Sequence, residues 1–230
     1  MAINIEGFSK RLGGSLVLDN VTLSVPEGEV VGLAGPNGSG KTMLMRAVAG
    51  LIRPTEGFVE VGGKRLWRDA AFPSSMGILI ENPAFLSSRT GMQNLCLLET
   101  IRNHAPFNQR KEAKAKAQAC SRKALERVGL DPADPRKYRK YSLGMKQRLG
   151  IAAAIVGHPK VLLLDEPANA LDESGVDLLR AIIAEERSRG TAVLLSCHDR
   201  ELMNELADRV CLMAEGRITR EWRPGEEGKQ

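Results

Sequence analysis

A glycine-rich segment that ends in a lysine and a threonine is the strongest chemical signal in the chain. It matches the pattern G-x-x-x-x-G-K-[ST] and consists of Gly35, Pro36, Asn37, Gly38, Ser39, Gly40, Lys41 and Thr42. The backbone N–H groups of such a loop surround phosphate oxygens; Lys41 would then neutralise the β- and γ-phosphates, and the Thr42 hydroxyl would bind Mg²⁺. A glycine-rich turn with a chance lysine is the alternative. An apolar run before the segment and a helical pattern after it favour a nucleotide site.

Two carboxylates follow a second apolar run, Val161–Leu164, which predicts a buried strand. In open α/β sheets, ligands bind at the carboxyl ends of the strands. We therefore expect Asp165 to hold Mg²⁺ through water and Glu166 to act as the general base on an attacking water. An acidic pair after a strand is also typical of a helix N-cap. In combination with the phosphate loop, the pair indicates nucleotide hydrolysis.

The elements that must position these groups alternate between strand and helix in the second half of the chain. Apolar runs at 161–164, 192–196 and 210–213 predict strands, and helical patterns at 174–189 and 200–207 separate them. This alternation is typical of a parallel sheet with helical crossovers. The first ~80 residues are strand-like. Helical periodicity dominates between them and the second half, at 92–103, at 109–128 and after 142. The sequence therefore predicts an α/β core with an inserted helical block.

Composition places the chain among ordinary globular proteins. It has 230 residues, of which 43% are apolar and 27% are charged. No apolar run approaches the ~18 residues of a membrane-spanning helix, the first residues do not form a secretory signal, and the four cysteines do not have metal-binding spacing. We expect a cytosolic, soluble protein with reduced thiols. The 4% aromatic content argues against a surface that stacks on single-stranded nucleic acid.

The order of these segments resembles the ATP-binding subunit of ABC transporters. The phosphate loop and helical block are followed by Tyr141-Ser142-Leu143-Gly144-Met145-Lys146-Gln147-Arg148 and then by the acidic strand. The resemblance covers roughly residues 3–220. It implies one α/β domain over 1–230, a P-loop NTPase (RecA-like) core with an antiparallel β subdomain and an inserted α-helical subdomain. The implied bounds are 1–81 and 158–220 for the core, about 82–157 for the helical subdomain, and 221–230 for a short tail.

The resemblance also implies roles for residues outside the phosphate loop. Ser142 and Gly144 are kept where the family has its Leu-Ser-Gly-Gly-Gln signature, which caps the γ-phosphate held by the other subunit. Asp172 corresponds to the loop through which two subunits sense each other's sites, and His198 to the switch histidine at the γ-phosphate. From the residues alone, Ser142 is also a helix N-cap, and a histidine after a strand is usually an ordinary surface or core residue.

Two positions depart from the family pattern. Glu81 stands where the family has a glutamine that reaches Mg²⁺ and the attacking water, and a carboxylate predicts tighter, protonation-sensitive Mg²⁺ binding. Glu81 and the Ser-Leu-Gly-Met signature resemble the exporters of bacitracin resistance and lantibiotic immunity. Leu12 stands where the family has an aromatic residue that stacks on adenine. Leucine has no π-face, which predicts weak discrimination between ATP and other nucleoside triphosphates.

The formal net charge of +5 comes from the helical block. Residues 102–148 hold 14 lysines and arginines and 4 acidic residues, whereas the rest of the chain holds 19 and 24. Two interpretations remain open: a solvated helix face, or attraction to anionic lipid or to acidic loops of a membrane subunit.

Three functions follow as hypotheses. The first is an ATPase subunit that uses ATP and Mg²⁺ to power a separate transmembrane permease exporting peptide antibiotics or other drugs. It would work as a homodimer or heterodimer at the cytoplasmic face of the membrane, because one chain has one phosphate loop and one signature. The second is a soluble ABC ATPase of repair, translation or assembly; no coiled-coil insert or tandem unit supports it, and no nucleic acid is expected. The third, a non-catalytic binding module, is disfavoured by Lys41, Asp165, Glu166 and His198.

Overall fold

The computed structural model describes residues 1–81, 84–103 and 110–225. Its strands are β1 (Ile3–Leu12), β2 (Ser15–Val25), β3 (Val30–Ala34), β4 (Glu56–Val61), β5 (Lys64–Arg65), β6 (Met76–Leu79), β7 (Val161–Leu164), β8 (Ala192–Ser196), β9 (Arg209–Ala214) and β10 (Arg217–Trp222). Its helices are α1 (Lys41–Val48), α2 (Gly91–Asn103), α3 (Arg110–Arg127), α4 (Leu143–Ile155), α5 (Glu173–Ser188) and α6 (Arg200–Leu206), with a short 3₁₀ turn at Tyr138–Lys140.

A six-stranded sheet forms the centre of the molecule in the order β10-β9-β3-β8-β7-β6. The pairs from β9 to β6 are parallel, and only β10 at the edge is antiparallel to its neighbour. Parallel neighbours need crossover connections, which explains why helices separate these strands along the chain. The predicted parallel sheet is confirmed, and the carboxyl ends of β3, β6, β7 and β8 lie at one edge.

A second sheet has the order β2-β1-β4-β5 and is antiparallel throughout. A tight turn at Gly13 and Gly14, both with positive φ, joins β1 to β2. Glycine accepts such φ values without steric cost, which makes it suitable for this hairpin. This sheet is the predicted antiparallel β subdomain, and it lies against α1 on one side of the central sheet.

Alternating side chains of the central sheet supply two separate cores. On β7, Val161 and Leu163 join a cluster with α1 and the antiparallel sheet. Leu162 and Leu164 join the cluster with α4, α5 and α6. All four side chains are buried, which follows from the two-residue period of a strand that is covered on both faces.

The helices α2, α3 and α4 lie between β6 and β7 along the chain; α4 packs on the central sheet and α3 contacts α5. A Cβ atom at Gly77 of β6 would lie 1.8 Å from the carbonyl oxygen of Ala154, so α4 packs directly on the strand backbone. Arg127 Nη2 of α3 donates to the buried Glu186 Oε1 of α5 over 2.8 Å. The predicted helix at 109–128 is observed at Arg110–Arg127, and residue 109 lies outside the described residues.

Within the described ranges, no helix is both long enough and apolar enough to cross a bilayer.

Candidate nucleotide-binding site

The phosphate loop connects the end of β3 to the first residue of α1. Gly35 has a φ of 138°, and a Cβ atom there would lie 2.2 Å from the carbonyl oxygen of Met213. Gly40, with a φ of 107°, precedes the first helical residue. Only glycine combines these backbone angles with this close approach. The loop therefore leads directly into a helix N-terminus, where unpaired N–H groups favour an anion.

Lys41 and Ser39 each have a buried polar side-chain atom at this loop. Lys41 is buried, and its Nζ donates to the carbonyl oxygens of Gly35 at 2.7 Å and Pro36 at 3.1 Å. Ser39 Oγ is also buried and has no hydrogen-bond partner among the described residues. A buried hydroxyl without a partner is costly, and a phosphate oxygen is the kind of ligand that would satisfy it.

Three oxygen-bearing side chains form a chain of hydrogen bonds at the carboxyl ends of β7 and β8. Thr42 Oγ1 donates to Asp165 Oδ2 over 2.7 Å, and Ser196 Oγ donates to Asp165 Oδ1 over 2.6 Å. The Ser196 hydroxyl also accepts from the N–H of Glu166 at 3.0 Å. Ser196 was not predicted as a site residue from the sequence. The one signal that could have indicated it is its position as a serine at the end of a buried strand. Hydroxyl and carboxylate oxygens are the ligands that Mg²⁺ takes together with substrate phosphates.

Glu166 and His198 are in direct contact. His198 Nε2 lies 3.2 Å from Glu166 Oε1, and the His198 N–H donates to Glu166 Oε2 over 3.2 Å. The Glu166 side chain is only 18% exposed. Burial raises the pKa of Glu166 above its ordinary value, and the contacts with His198 offset part of that rise. A raised pKa makes a carboxylate a better proton acceptor.

One cavity of about 620 Å³ contains most of the predicted site. This volume lies within the range of small-molecule sites. The predicted residues in its wall are Asn37, Gly38, Ser39, Gly40, Lys41, Thr42, Glu81, Asp165, Glu166 and His198. The wall also contains residues that the sequence did not single out, among them Leu16, Val17, Gln147 and Asn169.

Six predicted residues lie outside the wall of this cavity: Gly35 and Pro36, whose carbonyl oxygens accept from Lys41, and also Ser142, Gly144, Asp172 and Leu12. Ser142 caps α4, its Oγ accepting from the N–H of Met145 at 3.2 Å. Gly144 lies close to the Ala170 carbonyl. Asp172 caps α5 and pairs with Arg148 at 2.6 Å, which lowers the pKa of the Asp172 carboxyl. Leu12 ends β1 and is 46% exposed.

Glu81 lies in the cavity wall, but its carboxylate has a protein partner. It accepts a hydrogen bond from Arg46 Nη2 of α1. The pair joins the segment after β6 to the helix that begins with Lys41.

Gln147 connects the signature segment to the segment after β7. Its Nε2 donates to the carbonyl oxygens of Glu166 at 3.2 Å and Pro167 at 3.0 Å. The helix that Ser142 caps is thereby tied to the backbone that carries the candidate base.

Comparison with known proteins identifies the family. The model of the ABC transporter family matches residues 18–169. The uncharacterized ABC transporter ATP-binding protein YybJ of Bacillus subtilis (strain 168) is 40% identical over 94% of each chain. The bacitracin transport ATP-binding protein BcrA of Enterococcus faecalis is 36% identical over 95% of this chain and 68% of its own. The lantibiotic transport ATP-binding protein SrtF of Streptococcus pyogenes is 34% identical, with coverage of 94% and 88%.

Solved structures agree with this assignment. An ATP-binding subunit of an ABC transporter superposes with a TM-score of 0.85 at 23% identity, covering 97% of this chain and 90% of its own. A dimeric bacterial ABC transporter cassette superposes with a TM-score of 0.78 at 26% identity, covering 96% and 98%. The predicted fold class and family are confirmed, and the transporter interpretation is favoured over the soluble alternative. The chain is a member of the ABC transporter family, as an ATP-binding subunit.

Proposed function

We propose that this chain hydrolyses ATP with Mg²⁺ to power a separate membrane permease that exports peptide antibiotics. The observation that carries the proposal is the meeting of Lys41, Thr42, Asp165 and Glu166 in one cavity. These groups supply a cation for phosphates, two oxygen ligands for a divalent cation and a base for water. Mg²⁺ bound at Thr42 and Asp165 would neutralise phosphate charge as it develops.

Phosphate binding begins with an exchange of partners at Lys41. Its ammonium group gives up the carbonyl oxygens of Gly35 and Pro36 for the β- and γ-phosphate oxygens. The Ser39 hydroxyl and the N-terminal N–H groups of α1 are directed toward the same anion. The triphosphate is thereby held with its γ-phosphorus facing the end of β7.

Glu166 then activates the water that attacks the γ-phosphorus. The water oxygen forms a bond to phosphorus, the bond from phosphorus to the β–γ bridging oxygen breaks, and the water proton passes to a Glu166 carboxylate oxygen. ADP leaves with the bridging oxygen. The backbone and ring nitrogen atoms of His198 fix the direction of the carboxylate, and the raised pKa of Glu166 favours proton transfer.

A second ATPase chain completes the site in this proposal. Ser142, Gly144 and Asp172 lie outside the cavity that holds Lys41. In a head-to-tail pair, the Ser142 end of α4 from one chain would face the γ-phosphate bound by the other, where a helix N-terminus stabilises negative charge. A solved relative is described as dimeric, which supports this arrangement. Both a homodimer and a heterodimer fit it.

The cargo and location are inferred from the relatives and from surface charge. BcrA and SrtF are described as bacitracin and lantibiotic transport proteins, and we extend the export of such peptides to this chain. The permease holds the subunit at the cytoplasmic face of the membrane. Lys111, Lys114 and Lys116 on α3 are exposed and would face acidic groups there. Reversal of these three charges should weaken membrane association and permease-coupled hydrolysis; unchanged values would contradict this contact.

The chemical step is tested with Glu166→Gln, which keeps the shape of the side chain and removes the base. Phosphate release should fall to background, while ATP binding persists and a dimer accumulates in size-exclusion chromatography with ATP. Glu173→Gln, an exposed glutamate at the start of α5, is the matched control and should hydrolyse ATP at the parental rate. Undiminished hydrolysis by Glu166→Gln would refute the base assignment.

Transport is tested by co-purification and resistance. The tagged chain should co-purify with a polytopic membrane protein, and expression of both should raise resistance to bacitracin or a lantibiotic unless Glu166 is replaced by glutamine. Co-purification with ribosomes or DNA instead would contradict the transporter proposal.

A further inference from the structure

The ion pair between Arg46 and Glu81 lies beside the groups that would hold the divalent cation. Arg46 follows Thr42 by four residues on α1. Residues four apart in an α-helix lie on the same face, one turn from each other. The guanidinium group therefore extends from the same side of α1 as the Thr42 hydroxyl, which donates to Asp165 at 2.7 Å.

The pairing of β6 with β7 places Glu81 in the cavity that contains Thr42 and Asp165. Leu79 of β6 pairs with Leu164 of β7, and the N–H of Asp165 donates to the Leu79 carbonyl oxygen over 2.7 Å. Glu81 follows two residues later with a φ of 59°, a left-handed backbone that turns the chain at the end of the strand. Its side chain lies in the wall of the cavity that contains Thr42 and Asp165.

The Glu81 carboxylate therefore has two competing cationic partners, one from the protein and one from the nucleotide complex. We propose that Arg46 is a positioning residue that holds Glu81 away from the divalent cation, so that the cation must replace Arg46 as the partner of Glu81. This inference rests on the metal position in the proposed function.

The exchange should cost little, because both side chains are partly exposed. Arg46 is 35% exposed and Glu81 58%. Exposed ion pairs of this kind are weak, so loss of the arginine should tighten cation binding by about twofold to fivefold. Arg46 thus lowers the cation affinity moderately and leaves Glu81 ready to change partners.

The test measures cation affinity separately from hydrolysis. Binding of Mn²⁺, as a probe for Mg²⁺, to the ADP complex is followed by electron paramagnetic resonance in the parental chain, Arg46→Met, Glu81→Gln and the double variant. Arg46→Met should bind Mn²⁺ about twofold to fivefold more tightly. In the Glu81→Gln background, Arg46→Met should change the Mn²⁺ affinity by less than about 1.5-fold. Arg46 then has no carboxylate partner that it could keep from the cation. Arg46→Lys, which keeps the charge without the planar donor pair, should lie between Arg46→Met and the parental chain.

Two controls separate this role from general effects. Arg122→Met removes an exposed cation on α3 and should leave Mn²⁺ affinity unchanged. ADP affinity in EDTA should be the same for Arg46→Met and the parental chain, because a merely structural role would alter nucleotide binding without metal. Equal tightening by Arg46→Met in both Glu81 backgrounds would show a simple charge effect and overturn the inference. An unchanged Mn²⁺ affinity in Arg46→Met would also overturn it. Failure of the proposed function appears differently, as a parental chain that does not bind or hydrolyse ATP.

Discussion

Replacement of Ser196 by alanine should destabilise the protein much more than the loss of one oxygen atom suggests. The Ser196 hydroxyl is fully buried, donates to Asp165 and accepts from the N–H of Glu166. The first bond has a charged acceptor and contributes about 1.5–3 kcal/mol, and the N–H left unpaired costs about 1–3 kcal/mol. We expect the free energy of unfolding to fall by about 2.5 to 6 kcal/mol.

The chain contains a matched control for this substitution. Ser121 on α3 is equally buried, but its Oγ has no hydrogen-bond partner in the part of the chain that the structure describes. Its replacement by alanine should therefore be neutral or stabilising. Urea unfolding followed by the fluorescence of Trp67 and Trp222 gives both free energies. If the two variants differ by less than about 0.5 kcal/mol, the reasoning from partners to stability is wrong.

Three further outcomes follow from the same structure. Because burial raises the pKa of Glu166, single-turnover hydrolysis should decline on the acid side at a pH above the ordinary glutamate value of 4.5; a lower midpoint would contradict the base assignment. Gly77→Ala should lower the unfolding free energy in urea by about 1–3 kcal/mol, since its Cβ would overlap the Ala154 carbonyl oxygen, and a parental value would show that α4 moves aside freely. With Leu12 lacking a π-face, kcat/KM for ATP and GTP should differ by less than about tenfold, and a strong ATP preference would indicate a different purine contact.

Local sequence signals predicted the strand and the helix that flank the phosphate-loop segment. The run Val30-Val31-Gly32-Leu33 and the helical pattern after Lys41 flank the G-x-x-x-x-G-K-[ST] segment, and β3 and α1 are observed there. Alternation of strand and helix likewise predicted the parallel sheet, because both signals lie within windows of ten to twenty residues.

Contacts between residues that are far apart in the sequence could not be predicted from these local signals. Ser196 ends an apolar strand, and nothing near it in sequence shows that it contacts Asp165, 31 residues away. Arg46 and Glu81 are separated by 35 residues. The edge strand β10 was missed because four of its six residues are exposed and three are charged, so it lacks the apolar alternation of a half-buried strand. All three features depend on which strands become neighbours in the sheet, and local sequence patterns do not determine that order.

The bounds of the helical subdomain remain a prediction, as do the roles assigned to the site residues. Two of these residues also have a structural function within their own chain. Ser142 and Asp172 both act as helix N-caps within their own chain. A substitution at either position therefore changes helix stability as well as any contact with a second subunit, and the two effects need separate measurements.

The two carbonyl contacts of Lys41 have a thermodynamic consequence for nucleotide affinity. The ammonium group already has neutral acceptors, at Gly35 and Pro36. In the proposed site, a triphosphate would therefore gain only the difference between these acceptors and its own anionic oxygens. The lysine's favourable contribution to affinity is therefore smaller than a count of the contacts in the bound state would give. In exchange, the cation is kept in place before the ligand arrives, and little side-chain ordering remains to oppose binding. Lys41 is thus held in position by the backbone of its own loop.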